Sequence, residues 1–328
     1  MNVLFYYDGF VDPRDQLAGT STMMWRMAQC FSKDNFVMCA SKRIGESFIV
    51  EGVAIADATS FRDINNLIDP FDVVFFYCDF DMSVIKKPPH QIWVRSLHCW
   101  APNLKSFEFL KNCEVITAVS QIHKEYLKTF SVDAHVVDNC IDHSVFKWDG
   151  KNRRSGICYA GSVSNYKKVD IAIDCAIKYG YELHIYGDSL CINSDPYYEN
   201  KVIKSASMNT DKIFFHGFVK KEELAEAFNK HLILVLPSGV ESFGLVTVEC
   251  QACGCIPVVH NVAGTPATLV DGETGILYHP NDIDNLHQAI QLAIDLPDGS
   301  REKAMQFSNK FNIENSYQQM CDHLAPLL

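Results

Sequence analysis

Two acidic residues, Glu241 and Glu249, have the type and spacing that could do chemistry. They lie in PSGVESFGLVTVECQACGC, residues 237–255, where a buried strand passes through Ser-Gly into an apolar helix. Glu241 precedes that helix and Glu249 falls in its second turn, so both carboxylates can border one pocket that the free N–H groups of residues 243–245 also face. Helix N-termini bind anions, and carboxylates accept hydrogen bonds from vicinal hydroxyls. The spacing favours a phosphate attached to a sugar, although a helix-capping acid followed by an unrelated solvated one gives the same pattern.

The composition excludes several classes of protein. With 328 residues, 48% hydrophobic and 21% charged, the chain is long and apolar enough for two globular domains. Its 29 Lys and Arg against 40 Asp and Glu give a net charge of −11, which disfavours nucleic acid as a partner. Thirteen cysteines, an odd number without framework spacing, are typical of reduced thiols and predict a cytoplasmic protein. No apolar run approaches the ~20 residues that span a bilayer, so we expect at most weak peripheral contact with the inner face of a membrane.

Short β-branched runs alternate with amphipathic stretches along the chain, a pattern typical of parallel sheets joined by crossover helices. The polar segment KWDGKNRRSG, residues 147–156, interrupts this rhythm and is the expected linker. We therefore predict an α/β protein with one doubly wound Rossmann-like domain over residues 1–150, a second over 151–311, and a last helix over 312–328. Ligands of such sheets bind at the carboxyl ends of the strands.

The expected elements follow from this periodicity. The expected strands are Val3–Tyr7, Phe36–Cys39, Val73–Tyr77, Ile92–Leu97, Val115–Val119, Ala134–Val137, Ile157–Ala160, Leu183–Tyr186, Ile213–His216, Leu232–Leu236 and Pro257–Val259. The expected helices are Thr20–Phe31, Phe61–Ile68, Leu104–Lys111, Gln121–Phe130 with Ser120 as its N-cap, Val169–Tyr179, Lys221–Asn229, Gly244–Cys253, Ile283–Leu296 and Ile313–Leu324.

Residues 237–278, from PSGVE to TGILY, resemble the C-terminal signature of the retaining GT-B glycosyltransferases of family 4, the glycosyl transferases group 1. The shared features are the E-x(7)-E acids, the turn at Gly254–Pro257, the Gly264-Thr265-Pro266 loop and the DGETG turn. A match over about forty residues is far more specific than a lone glycine-rich loop. The resemblance implies a GT-B fold, in which two Rossmann-like domains face a central cleft and the last helix crosses back to the N-terminal domain.

The same resemblance implies a donor site in the second domain. The segment CYAGSVSNYKK, residues 158–168, resembles the family's phosphate-binding loop, with Lys167 against the donor diphosphate and Ser162 where the family usually has an arginine. IFFHGFV, residues 213–219, resembles the turn that lines the nucleobase. Glu249 would hold the ribose hydroxyls and Glu241 would position the sugar. The implied donor-binding residues are Gly19, Gly161, Ser162, Lys167, Gly187, Gly217, Phe218, Val219, Glu241, Ser242, Phe243, Gly244, Leu245 and Glu249.

The resemblance is looser in the first domain. IWVRSLHCW, residues 92–100, is similar to the family's buried strand that ends in a histidine, which places His98 against the donor sugar. Gly19, in AGTST, resembles part of the glycine-rich loop near the donor phosphate. The implied catalytic residues are thus His98, Lys167 and Glu241. Judged without the resemblance, a histidine next to Cys99 and Trp100 is more typical of a packed core.

Metal sites are not expected. Cys250, Cys253 and Cys255 form C-x(2)-C-x-C, but no second cysteine pair or histidine cluster completes four ligands, which favours structural thiols. Asp79 and Asp81 have the spacing of a divalent-metal motif without its sequence context. We expect no metal and no cofactor besides the nucleotide-diphosphate sugar, which is a co-substrate.

The sequence therefore predicts a metal-independent retaining glycosyltransferase of glycan biosynthesis, in particular a hexosyltransferase. Its donor would be a UDP-, GDP- or ADP-sugar, and its acceptor a glycan, a lipopolysaccharide or other lipid-linked sugar, or a small-molecule glycoside. Two alternatives stay open: a sugar-nucleotide epimerase, or a nucleotide-sugar-binding protein of the same fold that has lost catalysis, which Ser162 favours.

Overall fold

The structure is a computed structural model of the chain. It describes residues 1–7, 9, 12, 13, 19–41, 44, 46–58, 61–77, 84–100, 107–151, 154–188, 200, 202, 204, 205, 207, 208 and 211–328. The chain divides into two compact units, one formed by Met1–Cys140 with Ile313–Leu328 and the other by Ile141–Asn312. The expected boundary lies after residue 150, and the observed division falls after Cys140.

Within the described residues, the first unit contains an eight-stranded sheet with the order β3-β4-β2-β1-β5-β6-β7-β8. Its strands pair in parallel except β3, which is antiparallel to β4. The strands predicted for this half are present, whereas β3 and β4, which flank the turn at Gly52, were not predicted. The strands are β1 (Asn2–Tyr7), β2 (Phe36–Ser41), β3 (Phe48–Val50), β4 (Val53–Asp57), β5 (Val73–Phe76), β6 (Ile92–Leu97), β7 (Val115–Ala118) and β8 (His135–Val136).

Helices cover this sheet and enclose an aromatic core. Phe5 of β1 stacks on Phe75 of β5 with ring centroids 4.5 Å apart, and Phe31 packs against both rings. The C-terminal helix, Ile313–Leu324, packs here too, because the Tyr317 ring meets Phe31 edge-on at 5.0 Å. The other helices are α1 (Gly19–Phe31), α2 (Phe61–Leu67), α3 (Phe107–Leu110) and α4 (Gln121–Lys128).

Two helix predictions in this unit have specific outcomes. Ser120 is the N-cap of α4, since its Oγ accepts a hydrogen bond from the His123 N–H at 3.1 Å, which confirms the prediction. The predicted helix at Leu104–Lys111 is observed as α3, and residues 104–106 lie outside the described residues.

The second unit contains a six-stranded parallel sheet among the described residues, with the order β11-β10-β9-β12-β13-β14. The short strand β14, in the DGETGILY segment, and helix α9 were not predicted. The strands are β9 (Ile157–Ala160), β10 (Leu183–Tyr186), β11 (Ile213–Gly217), β12 (Ile233–Leu236), β13 (Ile256–His260) and β14 (Ile276–Tyr278). The helices are α5 (Val169–Tyr179), α6 (Lys221–Lys230), α7 (Leu245–Ala252), α8 (Ile283–Ile294) and α9 (Ser300–Ser308).

The strand order of the second sheet reverses between β9 and β12. From β9 the chain builds β10 and β11 on one side, and then returns to place β12 on the other side. The loops that follow β9 and β12 therefore run in opposite directions from the carboxyl ends of these two neighbouring strands, which opens a crevice between the loops. This topological switch point is where a ligand of the second unit is expected.

None of the helices among the described residues has the length and hydropathy of a membrane span.

Candidate active site

An ion pair between Lys167 and Glu241 bridges the switch point of the second sheet. Lys167 ends a short 3-10 turn, Asn165–Lys167, after β9, and Glu241 lies in the loop after β12. The Lys167 ammonium donates to Glu241 Oε1. Their side chains are only 18% and 10% exposed, so the pair is weakly hydrated and its electrostatic attraction is stronger than that of a surface pair. Lys167 and Glu241, which the sequence analysis singled out separately, are thus in direct contact.

Backbone contacts fix the two loops to each other. The Gly239 N–H donates to the Tyr166 carbonyl at 2.7 Å, which joins the loop after β12 to the 3-10 turn after β9. The Ser238 hydroxyl donates to Glu241 Oε1 at 2.9 Å, so that oxygen receives both this bond and the Lys167 ammonium. The carboxylate is therefore oriented by its own loop as well as by its counter-ion.

The Gly264-Thr265-Pro266 loop packs on the backbone of the Glu241 loop. The Gly264 N–H donates to the Glu241 carbonyl at 2.8 Å. A Cβ at Gly264 would lie 1.9 Å from the Ser242 carbonyl oxygen, so a side chain cannot be accommodated without moving one of the two loops. The buried Thr265 anchors this loop by donating its hydroxyl to the His260 carbonyl at 2.8 Å.

Helix α7 begins beside these loops. Gly244 is its N-cap at φ +96°, a left-handed conformation that favours glycine, and Leu245 is the first helical residue. The first N–H groups of a helix have no acceptor within the helix, so they can bind an anion. Phe243 is buried and packs edge-on against Phe311 at 5.3 Å. Glu249 lies in the second turn of α7, as predicted, and is partly buried.

Three glycines terminate the adjacent strands β9, β10 and β11. The Gly161 N–H donates to the Tyr186 carbonyl at 3.0 Å, and the Gly187 N–H donates to the Gly217 carbonyl at 2.7 Å. Gly187 has φ +150°, and a Cβ there would lie 1.8 Å from the Gly161 carbonyl oxygen. Phe218, which follows this edge, is 48% exposed. The structure thus brings Gly161, Gly187 and Gly217 together at one side-chain-free edge, with Phe218 and Val219 immediately after it.

Ser162 lies among hydroxyl groups and contributes no positive charge. Its Oγ is 3.4 Å from both the Ser164 Oγ and the Tyr166 hydroxyl, and its carbonyl accepts a 2.9 Å hydrogen bond from the Tyr159 hydroxyl. The Lys167 ammonium lies 5.5 Å from the centre of the Tyr166 ring. Lys167 is therefore the positive group of this turn that reaches Glu241.

His98 belongs to the first unit, where it follows β6. Its Nε2 lies 3.0 Å from the Ser96 Oγ, and its ring stacks on Tyr77 at 5.1 Å. Burial, with smaller contributions from His123 and Arg95, lowers the pKa of His98 to about 3, so the imidazole is neutral at pH 7. Gly19, the other predicted site residue of this unit, is the exposed first residue of α1.

The sequence did not single out three side chains that hold the Glu241 loop. Ser238 contacts Glu241 three positions along the chain, a short spacing that sequence reasoning could have found. His260, the last residue of β13, contacts the Ser238 carbonyl at 2.8 Å. Asn281, three residues after β14, donates to the Pro237 carbonyl at 2.7 Å. No local sequence signal predicts these contacts, because they depend on the order of the strands.

The three cysteines of the C-x(2)-C-x-C pattern are buried free thiols. The Cys250 thiol donates to the Thr247 carbonyl of its own helix at 3.2 Å. In the part of the chain that the structure describes, no group of three or more His, Cys, Asp or Glu is arranged to hold a metal ion. Asp79 and Asp81 lie outside the described residues.

Residues 142–311, more than half of the chain, match the sequence model of the family Glycosyl transferases group 1. The chain belongs to this family of transferase enzymes. A D-inositol 3-phosphate glycosyltransferase of Paenarthrobacter aurescens is 42% identical over 81 residues, which are 23% of this chain and 20% of that protein. An uncharacterized glycosyltransferase of Methanocaldococcus jannaschii is 28% identical over 207 residues, 62% of this chain and 57% of that protein. The chain thus aligns with less than two thirds of the length of these curated relatives.

Solved structures of low sequence identity share the fold over nearly the whole chain. A sucrose-phosphate synthase from Thermosynechococcus elongatus has a TM-score of 0.81 at 16% identity, covering 99% of this chain and 98% of that one. The Anabaena protein HepE in complex with UDP-glucose has a TM-score of 0.78 at 16% identity, covering 99% and 100%. The predicted fold class, GT-B with two Rossmann-like domains, is confirmed.

Proposed function

We propose that this group 1 glycosyltransferase moves a sugar from a nucleotide-diphosphate sugar to an acceptor hydroxyl, with retention of the anomeric configuration. The observation that carries the proposal is the Lys167–Glu241 pair at the switch point, beside the N-terminus of α7. A cation, a carboxylate and free helix N–H groups match the diphosphate and the hydroxyls of such a donor.

In the proposed reaction, the bond between the sugar and the diphosphate breaks and the leaving group gains negative charge. Lys167 and the first N–H groups of α7 would stabilise that charge, which is larger in the transition state than in the bound donor. Glu241 would accept a hydrogen bond from a sugar hydroxyl, and Glu249 from the ribose hydroxyls. The acceptor hydroxyl would attack from the face that the diphosphate leaves, and the leaving phosphate would take its proton.

The nucleobase would lie at the glycine edge that Gly161, Gly187 and Gly217 form. Backbone groups there can approach a flat ring closely, and Phe218 provides exposed apolar surface. HepE, a neighbour in fold, was solved with UDP and with UDP-glucose, so a uridine nucleotide is the first donor to test. His98, neutral because its pKa is lowered, is proposed as a hydrogen-bond partner of the donor sugar, as the family resemblance implies.

The acceptor is proposed by chemical class alone, as a carbohydrate or lipid-linked hydroxyl of glycan biosynthesis. We also propose that the reaction uses no metal, because Lys167 and the α7 N-terminus supply the positive charge that a divalent ion would otherwise provide. A chelator should then leave turnover unchanged. Loss of turnover with EDTA that Mg²⁺ or Mn²⁺ restores would contradict this part of the proposal.

A thermal-shift panel of UDP, GDP, ADP, CMP and NAD tests the donor class. One nucleoside diphosphate should raise the Tm, and its sugar conjugate should slowly release free diphosphate and a sugar with the donor's anomeric configuration, as followed by NMR. Glu249→Ala should weaken binding of that diphosphate by about 1.5–3 kcal/mol through the loss of charge-assisted hydrogen bonds. Glu226→Ala, at a surface glutamate of α6 paired with Lys230, is the control. Stabilisation by none of the nucleotides, or by NAD alone, would refute the proposal.

A binding protein without turnover is the second candidate, which the hydroxyl surroundings of Ser162 favour. A guanidinium would bind a phosphate through two parallel hydrogen bonds, whereas a hydroxyl donates one. In this case the panel would identify a nucleotide, but its sugar conjugate would stay intact with every acceptor tried. Gain of turnover in Ser162→Arg would then show that turnover requires a guanidinium at position 162.

A further inference from the structure

We propose that His260 is a positioning residue for Glu241, acting through the backbone of Ser238. His260 is the last residue of β13, and its Nδ1 lies 2.8 Å from the Ser238 carbonyl oxygen. The role of Glu241 toward a donor rests on the proposed function, whereas the effect of His260 on the loop does not.

The direction of this hydrogen bond is fixed by chemistry. A carbonyl oxygen can only accept, so His260 Nδ1 carries the proton. The Nε2 atom of the neutral ring is then an acceptor, and it lies 3.4 Å from His279 Nδ1. Burial lowers the pKa of His260, so at neutral pH its single N–H is directed to Ser238.

Ser238 links this bond to the carboxylate. The residue is fully buried, and its hydroxyl donates to Glu241 Oε1 at 2.9 Å while its carbonyl accepts from His260. Loss of the His260 donor would leave a buried carbonyl without this partner, a situation that structures avoid by moving the backbone. A shift of Ser238 would move its hydroxyl and therefore the Glu241 carboxylate that it orients.

His260 is itself held rigidly. Its side chain is buried, its own carbonyl accepts the Thr265 hydroxyl at 2.8 Å, and its ring lies nearly parallel to the His279 ring at 5.6 Å. Its strand, β13, pairs with β12 on one side and with β14 on the other, so the end of β13 is a stiff support. The hydrogen bond from His260 therefore fixes the position of Ser238, and with it the loop that carries the Glu241 carboxylate, relative to the sheet.

Two substitutions of nearly equal shape isolate the N–H group. In His260→Asn the amide nitrogen takes the position of Nδ1 and can donate to Ser238, whereas His260→Leu fills similar space without a donor. Amide hydrogen exchange of the protein without ligand should speed up about tenfold across Gly239–Ser242 in His260→Leu and stay near the wild-type rate in His260→Asn. His184→Leu, at a histidine of β10 bonded to His216 and Glu182, should leave this segment unchanged.

Turnover separates positioning from simple support of the fold. With the nucleotide sugar that the ligand panel selects, kcat should fall on the order of tenfold to a hundredfold in His260→Leu and recover in His260→Asn, while the Kd for the free nucleoside diphosphate stays within about twofold. Equal exchange and equal kcat in wild type and His260→Leu would overturn the inference. So would a folded His260→Asn that is as impaired as His260→Leu.

The inference remains testable if His260→Leu does not fold. His260→Gln keeps a polar amide but places its donor one bond further out, so the proposal requires faster loop exchange in His260→Gln than in His260→Asn. Equal exchange in these two variants would refute it. If the wild-type protein binds no nucleotide, the proposed function fails, and the exchange measurements still decide the role of His260.

Discussion

Lys167 and Glu241 partly neutralise each other's charge. A donor diphosphate would compete with the carboxylate for the ammonium, and a sugar hydroxyl would compete with the ammonium for the carboxylate. In the proposed function, a donor that carries both kinds of group would replace the Lys167–Glu241 bond and compensate both charges. Single substitutions at these polar side chains can therefore test the proposed function.

Lys167→Ala should lower turnover more than it lowers affinity for the nucleoside diphosphate. The ammonium is proposed to act on charge that develops in the transition state, so kcat should fall on the order of a hundredfold or more. Lys168→Ala is the matched control, because that neighbouring ammonium binds Asn165 Oδ1 at 2.9 Å instead of Glu241. Steady-state kinetics of both variants would measure the difference, and full turnover in Lys167→Ala would remove this residue from the reaction.

The buried ring of His123 predicts a pH dependence of stability. Its Nδ1 accepts from the Val119 N–H at 3.4 Å, its Nε2 lies 3.1 Å from the Cys99 carbonyl, and burial lowers its pKa to about 4. Between the unfolded value near 6.5 and about 4, the unfolded chain binds more protons, so the free energy of unfolding falls as the pH falls. The stabilisation that comes from keeping His123 neutral is fully present above pH 6.5. As the pH falls from there toward 4, the free energy of unfolding decreases by at most about 1.4 kcal/mol per pH unit.

Urea unfolding of the wild type and His123→Gln at several pH values between 7 and 4 would test this dependence. The glutamine amide can donate to the Cys99 carbonyl but does not titrate, so the slope of stability against pH should be smaller in the variant. Identical slopes would show that His123 is not the group responsible.

At the scale of elements, glycine allows loops to approach each other where a side chain would separate them. Gly264 has an ordinary backbone conformation, yet it lies where a Cβ would overlap the Ser242 carbonyl. Gly272 is the opposite case, since it has φ +73° and a Cβ added there would meet nothing within 4 Å. A substitution at Gly264 therefore tests steric overlap, and a substitution at Gly272 tests backbone strain.

Gly264→Ala should displace the Glu241 loop, because its N–H donates to the Glu241 carbonyl and its new methyl group would press on Ser242. We expect a loss of about 1–3 kcal/mol of stability together with a clear loss of turnover. Gly272→Ala should lose about 1–2 kcal/mol through its left-handed backbone and keep its turnover. Thermal unfolding and kinetics of both variants would check this, and an active Gly264→Ala would argue against close coupling of the loops.

At the scale of the whole molecule, the chain builds one unit, then a second, and returns its last helix to the first. Phe31 of α1 receives Tyr317 of that helix, and Met320 and Leu324 are buried in the core of the first unit. The first unit thus needs residues from both ends of the chain, whereas the second is one continuous segment.

Met320→Ala should therefore destabilise the first unit by about 2–5 kcal/mol, through lost burial and the cavity that remains. Gln318→Ala, at an exposed position two residues away that bonds Asp322, should have little effect on stability. Calorimetry would measure the unfolding transition, and titration would measure the Kd for the nucleoside diphosphate, which should stay unchanged in folded Met320→Ala. An unchanged transition would contradict the contribution of this helix to the core.

The sequence by itself determined the local features. The alternation of apolar runs and amphipathic stretches predicted two α/β units, Ser120 marked the start of α4, and the spacing of Glu241 and Glu249 placed them before and within α7. These features depend on residues close in sequence, whose capping and periodicity are governed by short-range hydrogen bonds and by burial of one helix face. The short strands β3, β4 and β14 carry too few residues for such a pattern and were missed.

Only the tertiary structure decided which distant residues meet. Periodicity shows which face of an element is buried but not what covers it, so the strand orders required the folded chain. The family resemblance implied the return of the last helix, but the residues that it contacts are seen only in the structure. The bond from Lys167 to Glu241 and the bond from His260 to Ser238 follow from the placement of β9, β12 and β13 side by side. The residue types therefore indicated the chemistry of the candidate site, whereas the packing of the parallel sheet determined its geometry.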